Sequence, residues 1–191
     1  MAINDEALDV IFRTARTHRV WQDKPVSPTL LMAIYDLMRW GPTALNSGPL
    51  RIVFAASAEA KDKIKPHLAA KNAPIACDAP VTAILGYDLD FTRHAESLNP
   101  VLGRIPFSED AKEVLAFRNS SLQGAYFIIA VRALGLDCCP ISGFDNGGID
   151  RAFFAGTWVK SNFLCAIGYG GDEELPPRAP RLSFDEACTI V

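Results

Sequence analysis

Several stretches of this chain carry residue types that could bind or transform a small molecule. Arg16-Thr17-His18-Arg19 sets two arginines around a hydroxyl. That arrangement can clamp a phosphate, and the same cations can simply complement the C-terminal end of a helix. Trp40 to Pro49 holds two prolines, two glycines and the short polar residues Thr43, Asn46 and Ser47. Proline fixes φ, glycine permits φ > 0, and short polar side chains bond locally or to a flat polar ligand. The stretch is longer than a helix stop needs. Asp88 to Phe107 is irregular, with Arg93, His94 and Arg104 among apolar residues. It reads as a surface excursion or as a lid over a substrate. A small anion would need such a cation once desolvated. Arg118, on a predicted helix surface, is a further cation of this kind. Ser142-Gly143 follows a short apolar run and brings a backbone without bulk.

The elements that must position these residues follow from hydrophobic periodicity. Asn4 caps a first helix, with Asp5 and Glu6 in its first turn and Leu8, Ile11, Phe12 and Ala15 on one face. Ser27-Pro28 opens a second, with Leu31, Ile34, Tyr35 and Met38 as its stripe and Gly41 at a C′ stop. Strands are predicted over 51–55, 80–87, 136–141 and 161–169. The second is apolar almost throughout, as in a strand buried on both faces. Ser57 caps a short helix disturbed by Pro66, and Asn72 with Pro74 marks a connection. Ser108 opens a long helix reaching Leu134, with Leu122, Ala125, Tyr126, Ile129, Ala130 and Ala133 as its buried stripe. A further helix covers 149–154. The tail from Arg178 to Val191 is too apolar for a free end: Leu182, Phe184 and Ile190 need covering by this chain or by a partner. Helices and strands alternate without repeats or linkers. The expected fold is α+β, three layers (α/β/α) around one sheet, in a single domain over residues 1–191.

The 191 residues are 49% hydrophobic with a formal net charge of −3, and both signs are mixed along the chain. That argues against a nucleic-acid surface or a polybasic membrane patch. No apolar run is long enough to span a bilayer, and the N-terminal residues lack a signal-peptide pattern. Five cysteines, an odd count without Cys-x-x-Cys, suit a reducing cytoplasm. Three histidines without ligand spacing leave no metal site to expect. Gly168-Tyr169-Gly170-Gly171 is followed by acidic residues and Pro176-Pro177 instead of a helix, so it is not a dinucleotide fingerprint.

The candidate segments, taken in order, resemble those of the FMN-dependent nitroreductase family. Arg16-Thr17-His18-Arg19 resembles its Arg-Ser-x-Arg/Lys segment. Pro42-Thr43-Ala44-Leu45-Asn46-Ser47-Gly48-Pro49 resembles its Pro-Ser-Ser-x-Asn-x-Gln-Pro loop at the flavin edge. Asn72 matches the Asn ahead of the second strand, Pro140-Ile141-Ser142-Gly143-Phe144-Asp145 the Pro-Ile-x-Gly-Phe-Asp segment, and Arg181 the C-terminal Arg. The resemblance implies a nitroreductase-like fold: a mostly antiparallel central sheet flanked by helices, in an intertwined homodimer with FMN at the subunit interface. NADH or NADPH would be the co-substrate. Arg16, Thr17, His18, Arg19, Asn72, Ser142, Gly143 and Arg181 would hold the cofactor from one chain. Pro42, Thr43, Ala44 and Asn46 would come from the other. Gly48 in place of the usual Gln, and Ser142 in place of a frequent Glu, depart from the pattern near the substrate side.

Within that family, Phe117-Arg118-Asn119-Ser120-Ser121, Ser161-Asn162 and Arg181 to Ala187 resemble the malonic semialdehyde reductase branch. That branch reduces a 3-oxo acid to 3-hydroxypropanoate in uracil degradation. The resemblance makes Arg93, Arg104 and Arg118 candidates for the substrate carboxylate and assigns no catalytic residue. A broad nitroaromatic or quinone reductase, and a flavin-binding protein without turnover, are the rival expectations.

Overall fold

The computed structural model describes residues 2–171 and 175–191; Met1 and the acidic run Asp172-Glu173-Glu174 lie outside the described residues. Among the described residues, four strands form one antiparallel sheet: β1 (Leu50–Ala55), β2 (Val81–Asp88), β3 (Asp137–Ile141) and β4 (Val159–Gly168), in the order β1-β2-β4-β3. Every residue of the inner strand β2 is buried, in keeping with its nearly continuous apolar run. Alternate residues serve opposite faces. Ala83, Leu85, Cys138, Cys165 and Ile167 meet one helical layer, while Ile84, Cys139, Ile141, Leu164 and Ala166 meet the other.

The helices divide accordingly. A short α1 (Asp5–Leu8) runs on into a π-helical turn, Asp9–Arg13, and Asn4 caps it by accepting from Ala7 N at 2.9 Å. The first layer is α2 (Pro28–Met38) and the long α6 (Glu109–Ala133). The second is α3 (Ala58–Ile64), α4 (Ala73–Asp78) and α7 (Asn146–Phe153). The three-layer α+β expectation is met. None of the described helices is long and apolar enough to cross a membrane.

Four expectations need correcting. Asn72 and Pro74 do not mark a plain connection; they open α4, because a proline in the first turn gives up an N–H the helix does not use. Gly41 is not left-handed: it is required because a Cβ there would stand 2.4 Å from the Tyr126 ring of α6. The buried face of α6 is Ala116, Asn119, Ser120, Gln123, Gly124, Phe127, Ala130 and Val131, whereas Leu122, Ala125 and Ala133 are exposed. Polar residues can be buried there because each finds a partner. Asn162 Nδ2 donates to Ser120 Oγ and Ser121 Oγ at 2.8 and 2.9 Å, and Asn119 and Gln123 each accept from a backbone N–H. The excursion is also no loose loop. It folds into a 3-10 turn (Phe91–His94), α5 (Ala95–Leu98) and a second turn (Leu102–Arg104) over its own core of Tyr87, Phe91, Ala95, Leu102 and Ala116.

The tail carries α8 (Phe184–Ala187), closed by a capping box between Ser183 and Glu186. It leaves Leu182, Phe184 and Ile190 exposed, at 69%, 61% and 86%. This chain does not cover them.

Candidate functional site

Trp21 fixes the segment that follows α1. Its Nε1 donates to Ile75 O at 2.9 Å, and its backbone bridges to Gly170 just beyond β4. Residues 16–19 therefore lie beside the start of β3. The tail crosses them here. Arg16 donates to Pro176 O, and Arg178 Nη2 donates to Arg13 O and Ala15 O at 2.8 and 2.9 Å. Among the described residues, Arg181 reaches only the carbonyls of Ala179 and Pro180. Arg13 is neutralised by Asp5 and Asp9 at 2.8 and 2.6 Å, but Arg16, Arg178 and Arg181 meet no carboxylate among the described residues. Three guanidinium groups holding only carbonyls suit a phosphate, whose oxygens accept paired N–H donors. Thr17 and Arg19 are exposed on the same segment. His18 is turned inward: its Nε2 lies 3.6 Å from Asp137 Oδ1, and the ring packs so closely on Gly170 that a Cβ there would collide with it. Arg178 escaped sequence reasoning. Its only signal was a second arginine in the tail, three residues before Arg181.

The second part of this face is the turn after β3. Gly143 O accepts from Ala69 N at 3.1 Å and from Asn72 Nδ2 at 3.0 Å. A Cβ on Gly143 would stand 2.7 Å from Asn72 Nδ2 and would push that side chain off the Gly143 carbonyl. Asp145 N donates to His67 O at 2.7 Å and zips the turn further to residues 67–72. Ser142 remains exposed beside it, along edge strand β3. The cationic segment, Asn72 and Ser142-Gly143 thus share one edge of the sheet, with a backbone cradle that a flat ring system can approach.

Pro42, Thr43, Ala44 and Asn46 sit at the opposite edge, ahead of β1. β1 and β3 are separated by β2 and β4. Three inter-strand spacings amount to about 14 Å, so the two candidate groups do not meet across the sheet of one chain. Two polar residues one turn apart on α6 pin the loop at both ends. Ala44 N donates to Asn119 Oδ1 at 2.7 Å and Leu50 N donates to Gln123 Oε1 at 3.0 Å. Between them Leu45, Asn46 and Gly48 all have positive φ, at 57°, 52° and 47°. A cavity of about 970 Å³ opens beside the loop, lined by Leu31, Tyr35, Trp40, Ile52 and Phe54, with His94 and Leu98 from the excursion.

Of the three substrate candidates, Arg93 is already committed. Its Nη2 and Arg51 Nη2 each lie 2.8 Å from Asp88 Oδ2, and Asp88 is completely buried. Arg51 Nη1 donates to Gly48 O at 2.9 Å, so this triad ties the excursion to the loop. Arg104 and Arg118 are exposed and form no ion pair among the described residues. At the base of the excursion Tyr87 donates to Glu113 at 3.2 Å, and Lys160 lies 2.9 Å from the same oxygen. Burial and the Glu113 charge push the Tyr87 hydroxyl up to about 12, while Lys160 holds the Glu113 carboxyl below its usual range.

Comparison with known proteins adds the following. The model of the nitroreductase family matches residues 12–170. A relative from Stenotrophomonas maltophilia (strain K279a), named "Putative NADH dehydrogenase/NAD(P)H nitroreductase", is 52% identical over 193 residues, covering 100% of this chain and 98% of its own. Another of that name, from Caulobacter sp. (strain K31), is 49% identical over 195 residues, covering 99% and 98%. Among solved structures, a nitroreductase family protein from Streptococcus pneumoniae TIGR4 superposes with a TM-score of 0.83 at 20% identity, covering 97% of this chain and 98% of that one. A protein from Exiguobacterium sibiricum 255-15, solved "in complex with FMN", superposes with a TM-score of 0.84 at 18% identity, covering 100% and 99%.

Proposed function

This chain belongs to the nitroreductase family, and on that premise we propose that it binds FMN between two copies of itself and uses NADH or NADPH to reduce a small acceptor. One observation carries the composite site: the two groups of candidate residues lie at opposite edges of one sheet, so a complete site needs two chains. The exposed apolar tail supports the same reading, because Leu182, Phe184 and Ile190 want an apolar groove. The groove lined by Leu31, Tyr35, Trp40 and Phe54 lies along the unpaired edge of β1 of the second copy. Such an interface would bury roughly 2,000 Å² or more and resemble a split core. The free cysteines suit a reducing, cytoplasmic setting.

Bound FMN supplies the hydride chemistry that couples the two half-reactions. The chain's own part is to bind and to tune. Arg16, Arg178 and Arg181 hold the phosphate, with Thr17 beside them. Arg19 adds positive charge on the same segment, and a preorganised cation stabilises developing negative charge. Asn72 and Gly143 fix the cradle, and Pro42, Thr43, Ala44 and Asn46 close it from the second copy. The decisive test is the visible spectrum of the purified protein, before and after anaerobic NAD(P)H. Yellow protein that bleaches supports the reading. Colourless protein that takes up no FMN refutes it, and bound FMN that does not bleach reveals a flavin carrier without turnover.

For the acceptor we propose malonic semialdehyde. The runs that resemble that branch meet in space, Ser120 and Ser121 through Asn162. Arg104 and Arg118 are the cations left for its carboxylate. The commitment of Arg93 to Asp88 favours the second reading, a broad nitroaromatic or quinone reductase. Turnover of malonic semialdehyde against a nitrofuran, at matched enzyme, separates the two.

A further inference from the structure

Two asparagines exchange hydrogen bonds between the Pro42–Pro49 loop and the excursion. Asn46 Nδ2 donates to Leu98 O at 3.0 Å, and Asn99 Nδ2 donates to Leu45 O at 2.9 Å. The exchange straddles Leu45 and Asn46, the two non-glycine residues with left-handed backbone among the described residues. Asparagine tolerates that conformation and a bulky leucine does not, so a pair of this kind persists only where its surroundings over-determine it. Asn99 is itself held firmly. Its Oδ1 accepts from Val101 N at 3.1 Å, and its N–H donates to Ala95 O at 2.8 Å. Beneath it, Arg93 anchors the excursion to buried Asp88. The clasp stands beside the cavity, where Thr43, Asn46 and Gly48 of the loop face His94, Ser97 and Leu98 of the excursion.

We propose that Asn99 is a positioning residue. Through Leu45 O it holds Leu45 and Asn46 left-handed, and it locks loop and excursion into one unit that sets which acceptors enter the site. The role in acceptor choice rests on the loop's proposed place at the flavin. The clasp itself does not.

Asn99→Asp is the sharpest variant. It keeps the size and the acceptor for Val101 N but removes the donor to Leu45 O. Asn99→Ala serves if a carboxylate beside that carbonyl disturbs folding. Amide hydrogen exchange on the FMN-free protein reads the clasp directly, because Asn46, Ser47 and Gly48 N–H donate to Thr43 O, Ala44 O and Thr43 Oγ1. These amides should exchange about fivefold to tenfold faster in both variants, the population change that loss of one hydrogen bond produces, with β2 amides unaltered. In the FMN-loaded enzyme at saturating FMN, the ratio of kcat/KM for a bulky quinone to that for malonic semialdehyde should rise by about threefold or more. Unchanged exchange at residues 46–48 overturns the clasp. Faster exchange with an unchanged acceptor ratio overturns its role in selectivity. A wild-type chain that takes up no FMN refutes the functional reading alone, and the exchange rates still decide the clasp.

Discussion

Asp88→Asn tests whether loop and excursion are joined through one buried charge. The native carboxylate is inaccessible to solvent, and its Oδ2 lies 2.8 Å from both Arg51 Nη2 and Arg93 Nη2. Its Oδ1 accepts from Asp90 N at 2.9 Å. Asparagine keeps the shape and one carbonyl oxygen but removes the charge, so two charge-assisted bonds become at best neutral ones of about half the strength. Removing one partner of a fully buried pair costs about 3–5 kcal/mol. Here the arginine side chains are 28% and 43% exposed and partly resolvate, which lowers the expectation to about 2–3 kcal/mol. For a chain of this size that is a fall in melting temperature of about 4–12 °C. The matched variant Arg93→Met leaves Asp88 paired with Arg51 and should cost less, about 1 kcal/mol. Differential scanning calorimetry of both, without cofactor, gives the order. A melting temperature for Asp88→Asn within about 2 °C of wild type, or a larger loss for Arg93→Met, would refute the reasoning.

Three further outcomes follow from the same geometry. Arg16→Ala should weaken FMN binding roughly tenfold to a hundredfold, the value of one charge-assisted phosphate contact, with little change in the melting temperature of FMN-free protein; unchanged Kd with a lowered melting temperature would return Arg16 to a purely structural role. Replacing Arg104 or Arg118 by Met should raise KM for malonic semialdehyde and spare an uncharged quinone, and if neither alters the acid-to-quinone ratio of kcat/KM, carboxylate recognition lies elsewhere. Lys160 depresses the Glu113 carboxyl, so Glu113 contributes stability above its unfolded pKa and loses it as pH falls through the folded value. The difference between wild type and Glu113→Gln should accordingly be full at pH 7 and vanish in acid, whereas a difference that persists in acid would show that packing, not charge, is responsible.

Where burial follows hydrophobicity, the fold was legible in the sequence. β2 announced itself as a nearly continuous apolar run, and Asn4, Ser27, Ser57 and Ser108 cap the helices they were expected to cap. Reading failed where polar groups are buried with partners distant in sequence. Asn119 and Gln123 are polar residues of α6, yet they are buried and hold backbone N–H groups 75 and 73 residues away. The apolar stripe chosen instead is left partly outward, because periodicity alone cannot tell a face covered by this chain from one left for another. The pairing of Arg93 with buried Asp88 was illegible for a related reason: a charge reads the same in sequence whether free or paired. Candidate site residues were found through short motifs, and the sheet order then separated them into two edges, which no local pattern records.

Mixed dimers test the composite site most directly. One chain would carry Arg16→Ala with Arg181→Ala, the other Ala44→Glu in the loop, each with its own affinity tag and both co-expressed. If each site takes its phosphate cluster from one copy and its loop from the other, every hybrid concentrates both lesions in one site and leaves the second intact. Random pairing then restores about a quarter of wild-type FMN content and activity, although each parent dimer has nearly none. Restoration at that level, carried by the doubly tagged fraction, is the predicted result. Hybrids with no more FMN or activity than the mean of the two parents would contradict the account.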